Sequence, residues 1–171
     1  MTISWDFCIV VIFICIGLII LYLLIDIIED IKSLLFKNKW TVNVSSTRLV
    51  KEIFLFTNDI LWDNGIKNFP KCKVSYYRHK KYLGYYSNST IVIYINNHKD
   101  PDSIVNTILH ELSHFIQDLT DKEKFDKYEV YARRFGYVLN PLELECHLFA
   151  HKWSGACMEH LRLLGIISKA C

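Results

Sequence analysis

The chain has 171 residues, 51% of them hydrophobic, and a formal net charge of +2. That length allows one domain and a small extra segment. A charge so near zero implies no polyanionic partner, nucleic acid included. The nineteen residues from Phe7 to Ile25 carry no charge. As a helix they would span about 28 Å, close to the ~30 Å hydrocarbon core of a bilayer. A basic start and a small-residue cleavage site, the marks of a removable leader, are not evident. Residues 1–36 therefore read as one transmembrane anchor with its flank, meeting the lipid bilayer through residues 7–25. Lys32, Lys37 and Lys39 follow the span and no Lys or Arg precedes it. That bias predicts a single-pass membrane protein with its C-terminal part in the cytoplasm. Residues 37–44 read as a linker and 45–171 as the folded domain.

Ser45 or Ser46 is suited to cap a helix running to about Asn64, with Gly65 as its stop. Leu49, Val50, Ile53, Phe54, Phe56, Ile60 and Leu61 give it a core face. Lys73 to His79 and Tyr82 to Tyr86 read as short strands. Thr90 to Ile95 is the clearest strand, rich in β-branched residues. Together they predict a small antiparallel sheet. Its tyrosines and basic residues read as half-exposed strand positions rather than a nucleic-acid surface. The six cysteines include no C-x-x-C pair, so a zinc ribbon is unsupported, and a cytoplasmic domain would keep them as thiols.

The chemistry concentrates in Ile104 to Ile116, which contains His110-Glu111-Leu112-Ser113-His114, an H-E-x-x-H. Asp100 is a good N-cap and Pro101 fits the first helical position. Apolar residues at Ile104, Val105, Ile108, Leu109, Leu112, Phe115, Ile116 and Leu119 follow at helical spacing. On such a helix His110 and His114 share a face, as two ligands of one metal ion must. Glu111 lies about a quarter turn away, placed to take a proton from a water held by a zinc-type metal. A buried carboxylate there calls for a cation or hydrogen bonds.

After a charged patch, Asp118 to Lys127, and a helical stretch over Tyr128 to Tyr137, Asn140-Pro141 repeats the cap-and-proline signal. A long helix is expected from there to about Leu164. Two histidines do not complete a zinc site, which typically uses three protein ligands plus water. The third ligand is sought among Glu143, Glu145, His147 and His151, with Glu129 upstream. Glu143, His147 and His151 fall on one helical face.

H-E-x-x-H followed by Asn140-Pro141-Leu142-Glu143-Leu144-Glu145-Cys146-His147 resembles the small gluzincin metallopeptidases. The likeness is to phage and viral zincin-like proteins and to the ImmA/IrrE-type peptidases, and it covers about residues 45 to 165. The family's E-x-x-A stretch matches Glu143 onward, with Cys146 where alanine is usual; Glu129-Val130-Tyr131-Ala132 matches the same pattern. The resemblance implies an α+β, zincin-like domain whose zinc is held by His110, His114 and Glu143. It implies peptide hydrolysis with Glu111 as general base, and a tyrosine, Tyr137 or Tyr131, at the oxyanion. An extended peptide substrate is expected to add as a strand along Thr90 to Ile95. Two rival expectations are a zinc-binding protein without turnover, serving a structural or interaction role at a membrane, and a metal-free membrane-tethered module.

Overall fold

The computed structural model describes residues 40–169. The expected anchor and its flank lie outside them. Among the described residues no helix is long and apolar enough to cross a membrane. The elements run β1 (Trp40–Val42), α1 (Ser46–Asp63), β2 (Lys71–Ser75), β3 (Gly84–Ser87) and β4 (Thr90–Tyr94). A short 3-10 turn (Ile95–Asn97) leads into α2 (Pro101–Thr120), α3 (Lys122–Phe125), α4 (Tyr128–Phe135), α5 (Pro141–Leu163) and β5 (Ile167–Lys169). The architecture is α+β, with small sheets packed on helices.

Helix α2 is the centre. Val105, Ile108, Leu109 and Leu112 are fully buried, and a buried aliphatic side chain of that size contributes roughly 1.5–3 kcal/mol. Helix α5 packs along it, with α1 and the sheet covering other sides. The stripe ends at Leu119, which is exposed, where the last turn of α2 leaves the core. Both long site helices begin alike. Asp100 accepts the Ser103 N–H at 2.7 Å and Asn140 accepts the Leu142 N–H at 3.0 Å, each ahead of a proline. Such a cap is worth about 1 kcal/mol. Helix α1 is capped by Ser45, whose Oγ accepts the Arg48 N–H.

The three-stranded sheet departs from expectation. Its order is β2-β4-β3, with β2 parallel and β3 antiparallel to β4; it is mixed, not antiparallel. The reason is apolar content. Ile91, Val92 and Ile93 are all buried, whereas β2 is Lys-Cys-Lys-Val-Ser and largely exposed. The most apolar strand takes the centre, where both edges are paired, and the lysine-bearing one takes an edge. Strand addition along Thr90 to Ile95 is thereby overturned, since β4 offers no free edge. The strands are also displaced from the stretches expected. Asn96 Nδ2 donates to the Tyr76 carbonyl, and Asn97 Nδ2 to those of His79 and Tyr82. Asparagine side chains thus occupy the backbone groups that a strand partner would need, and residues 76–83 form a loop. Asn88 and Ser89 turn β3 into β4 with φ of 48° and 56°, the left-handed pair of a tight hairpin.

Residues 40–42, within the stretch expected as linker, pair with β5 in a second, two-stranded antiparallel sheet. Among the described residues Cys72, Cys146 and Cys157 are free thiols.

Candidate metal centre

The two histidines leave α2 one turn apart, their ring centroids 5.0 Å from each other. Glu143 reaches them from the first turn of α5. His110 Nε2 lies 3.1 Å from Glu143 Oε2, and His114 Nε2 lies 3.3 Å from Glu143 Oε1. Glu143 is 1% exposed and both histidines are mostly covered. Sequence spacing could not choose among the carboxylates; packing brings Glu143 to the histidines. Glu145 lies on another side of the helix, against Lys124 and Gln117 Nε2. Glu129 is exposed on α4 and joins no cluster of metal-binding type among the described residues. His147 stands beside His110, ring centroids 4.8 Å apart, and can join a group with His110 and Glu143. His151 is exposed at the rim of the adjoining cleft.

The hydrogen bonds around His114 decide its tautomer. Gln117 Nε2 donates to the Leu142 carbonyl at 3.0 Å and to Glu145 Oε2 at 2.9 Å. Both amide hydrogens are thus engaged, and Gln117 Oε1 faces His114 Nδ1 at 3.0 Å. An amide oxygen only accepts, so Nδ1 carries the proton. In the neutral ring Nε2 then presents a lone pair toward Glu143. A lone pair and a carboxylate oxygen at 3.3 Å repel unless a cation lies between them or the ring is doubly protonated. Glu143 Oε2 sharpens the point. It is buried and accepts no hydrogen bond from any described residue, although His110 Nε2 is close by. The other such atom is Asn140 Nδ2, at the cap of the same helix. Donor atoms on a tetrahedral ion with bonds of about 2.0–2.1 Å lie about 3.3 Å apart. Each nitrogen–oxygen spacing, one to each oxygen of Glu143, is close to that edge. The donor set and the orphaned oxygen fit a metal ion.

Charge argues the same way. Among the described residues neither Glu111 nor Glu143 pairs with Lys or Arg. Burial pushes the Glu143 carboxyl up, but His110, His114 and the Tyr128 hydroxyl outweigh it and hold the group well below the usual carboxylate range. Tyr128 Oη donates to Glu143 Oε1 at 2.5 Å. Glu111, 8% exposed, behaves oppositely: burial raises its pKa against the pull of the two histidines. A carboxyl raised in this way suits a proton acceptor. Burial lowers the His147 pKa, with nearby His110 acting in the same direction, which keeps that ring neutral.

Outward from the cluster lies a cleft of about 470 Å³ whose lining includes His110, Glu111, Tyr137, His147 and Gly84. Tyr137 sits in the loop between α4 and α5, its hydroxyl pKa raised by burial and by Glu143, so it remains a hydrogen-bond donor. Tyr131, on α4, does not line the cleft. Gly84 lets β3 lie close on α2. A Cβ there would stand 2.8 Å from Thr107 Cγ2 and 2.8 Å from the Val92 carbonyl oxygen.

Sequence reasoning missed Tyr128, Gln117 and the position of Cys146. Gln117 had a signal: it follows His114 by three residues and shares its face. Cys146 follows Glu143 by three, and its Sγ lies 3.3 Å from His114 Nδ1. Tyr128 had none, because α4 meets Glu143 only through the tertiary fold. No family model, curated protein or solved structure matches the chain. What these side chains and their geometry support is a possible metal site of His110, His114 and Glu143, consistent with an H-E-x-x-H-like arrangement.

Proposed function

We propose that this chain is a zinc-dependent peptidase of gluzincin type, in which His110, His114 and Glu143 hold the ion. The observation that carries the reading is one buried carboxylate set against two imidazoles: its Oε1 faces the His114 lone pair, and its Oε2, beside His110, accepts no hydrogen bond from any described residue. Zinc, when bound there, supplies a Lewis acid that lowers the pKa of water and polarises a carbonyl. The rest of the reaction belongs to the protein. Glu111, raised in pKa and facing the cleft, takes the proton of the attacking water and returns it to the departing amine. Tyr137 Oη donates to the oxyanion that forms at the scissile carbonyl. Gln117 holds His114 in the tautomer that leaves Nε2 unprotonated. The uncharged stretch 7–25 tethers the domain of residues 45–171 to a bilayer, and the lysines after it favour a cytoplasmic catalytic face.

A second reading, a metal site without turnover, draws on Cys146, which groups with His110 and His114 as possible donors. Its Sγ touches Nδ1, the ring nitrogen opposite the one that meets Glu143. Elemental analysis of the full chain purified with zinc should find about one zinc per chain. Peptide-library turnover that Glu111→Gln abolishes with zinc retained separates the first reading from the second. Protein that stays metal-free after zinc is supplied overturns both.

A further inference from the structure

We propose that the loop of residues 76–83, with Lys99, extends the cleft into an anion-recognising subsite that selects an acidic polypeptide segment. That such a segment is a substrate rests on the peptidase reading; the recognition of acidic chain rests on the loop itself. Every charged residue between Asp63 and Asp100 is Lys or Arg. Four of them, Arg78, Lys80, Lys81 and Lys99, border a hollow of about 410 Å³ that has no carboxylate in its lining. Among the described residues none of the four forms an ion pair. Gathered cations without counter-charges raise the local potential and draw anionic groups.

The loop that carries them is braced. Asn97 Nδ2 holds the His79 and Tyr82 carbonyls, each at 2.7 Å. His79 Nδ1 accepts the N–H groups of Lys81 and Tyr82, at 3.2 and 3.0 Å. The His79 ring is stacked between Tyr82 and Tyr94, at 4.8 and 4.9 Å. A fixed frame reduces the ordering cost of binding. Lys81, Tyr82 and Leu83 line both the hollow and the cleft beside His110 and Glu111. A chain lying in the cleft and running past Leu83 therefore enters the hollow. A side-chain carboxylate there meets the Arg78 guanidinium, which can take it through two hydrogen bonds, and the neighbouring ammonium groups. Phosphates of nucleic acid or lipid would satisfy the same charges. Continuity with the cleft is what favours polypeptide.

The test uses the full-length chain carrying E111Q, so that the probe is not consumed. A fluorescent peptide rich in Glu is compared with the same peptide bearing Gln, by anisotropy at low and high salt. The Glu peptide should bind at least about tenfold tighter at low salt, and the difference should shrink as salt rises. R78Q/K80Q/K99Q, three exposed positions, should remove the preference, and R78E/K80E/K99E should turn it toward a Lys-rich peptide. Equal binding of the Glu and Gln peptides overturns the proposal, as does a triple variant that keeps the wild-type preference. Tighter binding of an oligothymidylate, or of vesicles containing phosphatidylserine, than of the Glu peptide also overturns it. A failed peptidase reading shows itself separately, as wild-type protein that binds the Glu peptide yet cleaves no peptide.

Discussion

Glu143 and Glu111 are carboxylates in one cluster, on neighbouring helices, and their surroundings drive them in opposite directions. On the α5 side Glu143 is enclosed: two histidines, the Tyr128 hydroxyl and the start of the helix surround it, and it stays ionised. On the α2 side Glu111 faces the cleft, buried enough that its charge is penalised. The difference separates two tasks. A group meant to hold a cation is fastened and kept charged; a group meant to accept and release a proton is raised in pKa.

The contrast can be broken by exchanging the consequences of mutation. Glu111→Gln should lower peptide turnover by about 10²–10⁴-fold with zinc content unchanged. Glu143→Gln should lose zinc, and turnover with it, in the same elemental and kinetic assays. If both variants kept zinc, the division of labour would be wrong. Tyr137→Phe tests the open side more finely. It should reduce kcat by about 10²–10³-fold with little change in zinc affinity, as loss of an oxyanion donor does. Tyr128→Phe tests the closed side. Freeing Glu143 Oε1 should weaken zinc binding by about 10–100-fold in a competitive chelator titration; an unchanged affinity would mean that Tyr128 only fills space.

The smallest expected effect is on pH. Burial opposes charging of His114, but its contacts with Cys146, Glu143 and Glu111 prevail, and in the metal-free protein its pKa is raised. A raised folded pKa gives stability that is present below the unfolded histidine value and lost as pH rises through the folded one. Zinc needs both rings unprotonated, so its binding runs the other way. Between about pH 6 and pH 8, Tm of metal-free protein should fall while the Tm increment from added zinc grows. Glu143, held low, stays ionised across that range. An increment independent of pH would count against the histidines as ligands.

The helical half of the molecule was readable because its information is local. Asp100-Pro101 and Asn140-Pro141 announce two helix starts, and four-residue spacing places His110 and His114 on one face whatever surrounds them. The sheet was less readable. Strand order depends on which segments compete for the centre, and β4 takes it over β2 because its three middle residues are all buried. Net charge is uninformative in a similar way: +2 for the whole chain conceals a region, Asp63 to Asp100, whose internal charges are all positive. An average over the sequence cannot report where the charges are gathered.

Periodicity and capping alone determined that two helices would carry a pair of histidines and a choice of carboxylates, since each of these properties depends on residues within a turn or two of one another. The resemblance points to Glu143; only the tertiary structure seated it against the two histidines, brought Tyr128 and Gln117 to the cluster, and set β3 rather than β4 beside the cleft. Those outcomes depend on how α5, α4 and the strands pack on α2. Packing is settled by the burial of apolar surface across the whole domain, which no short stretch of chain encodes by itself.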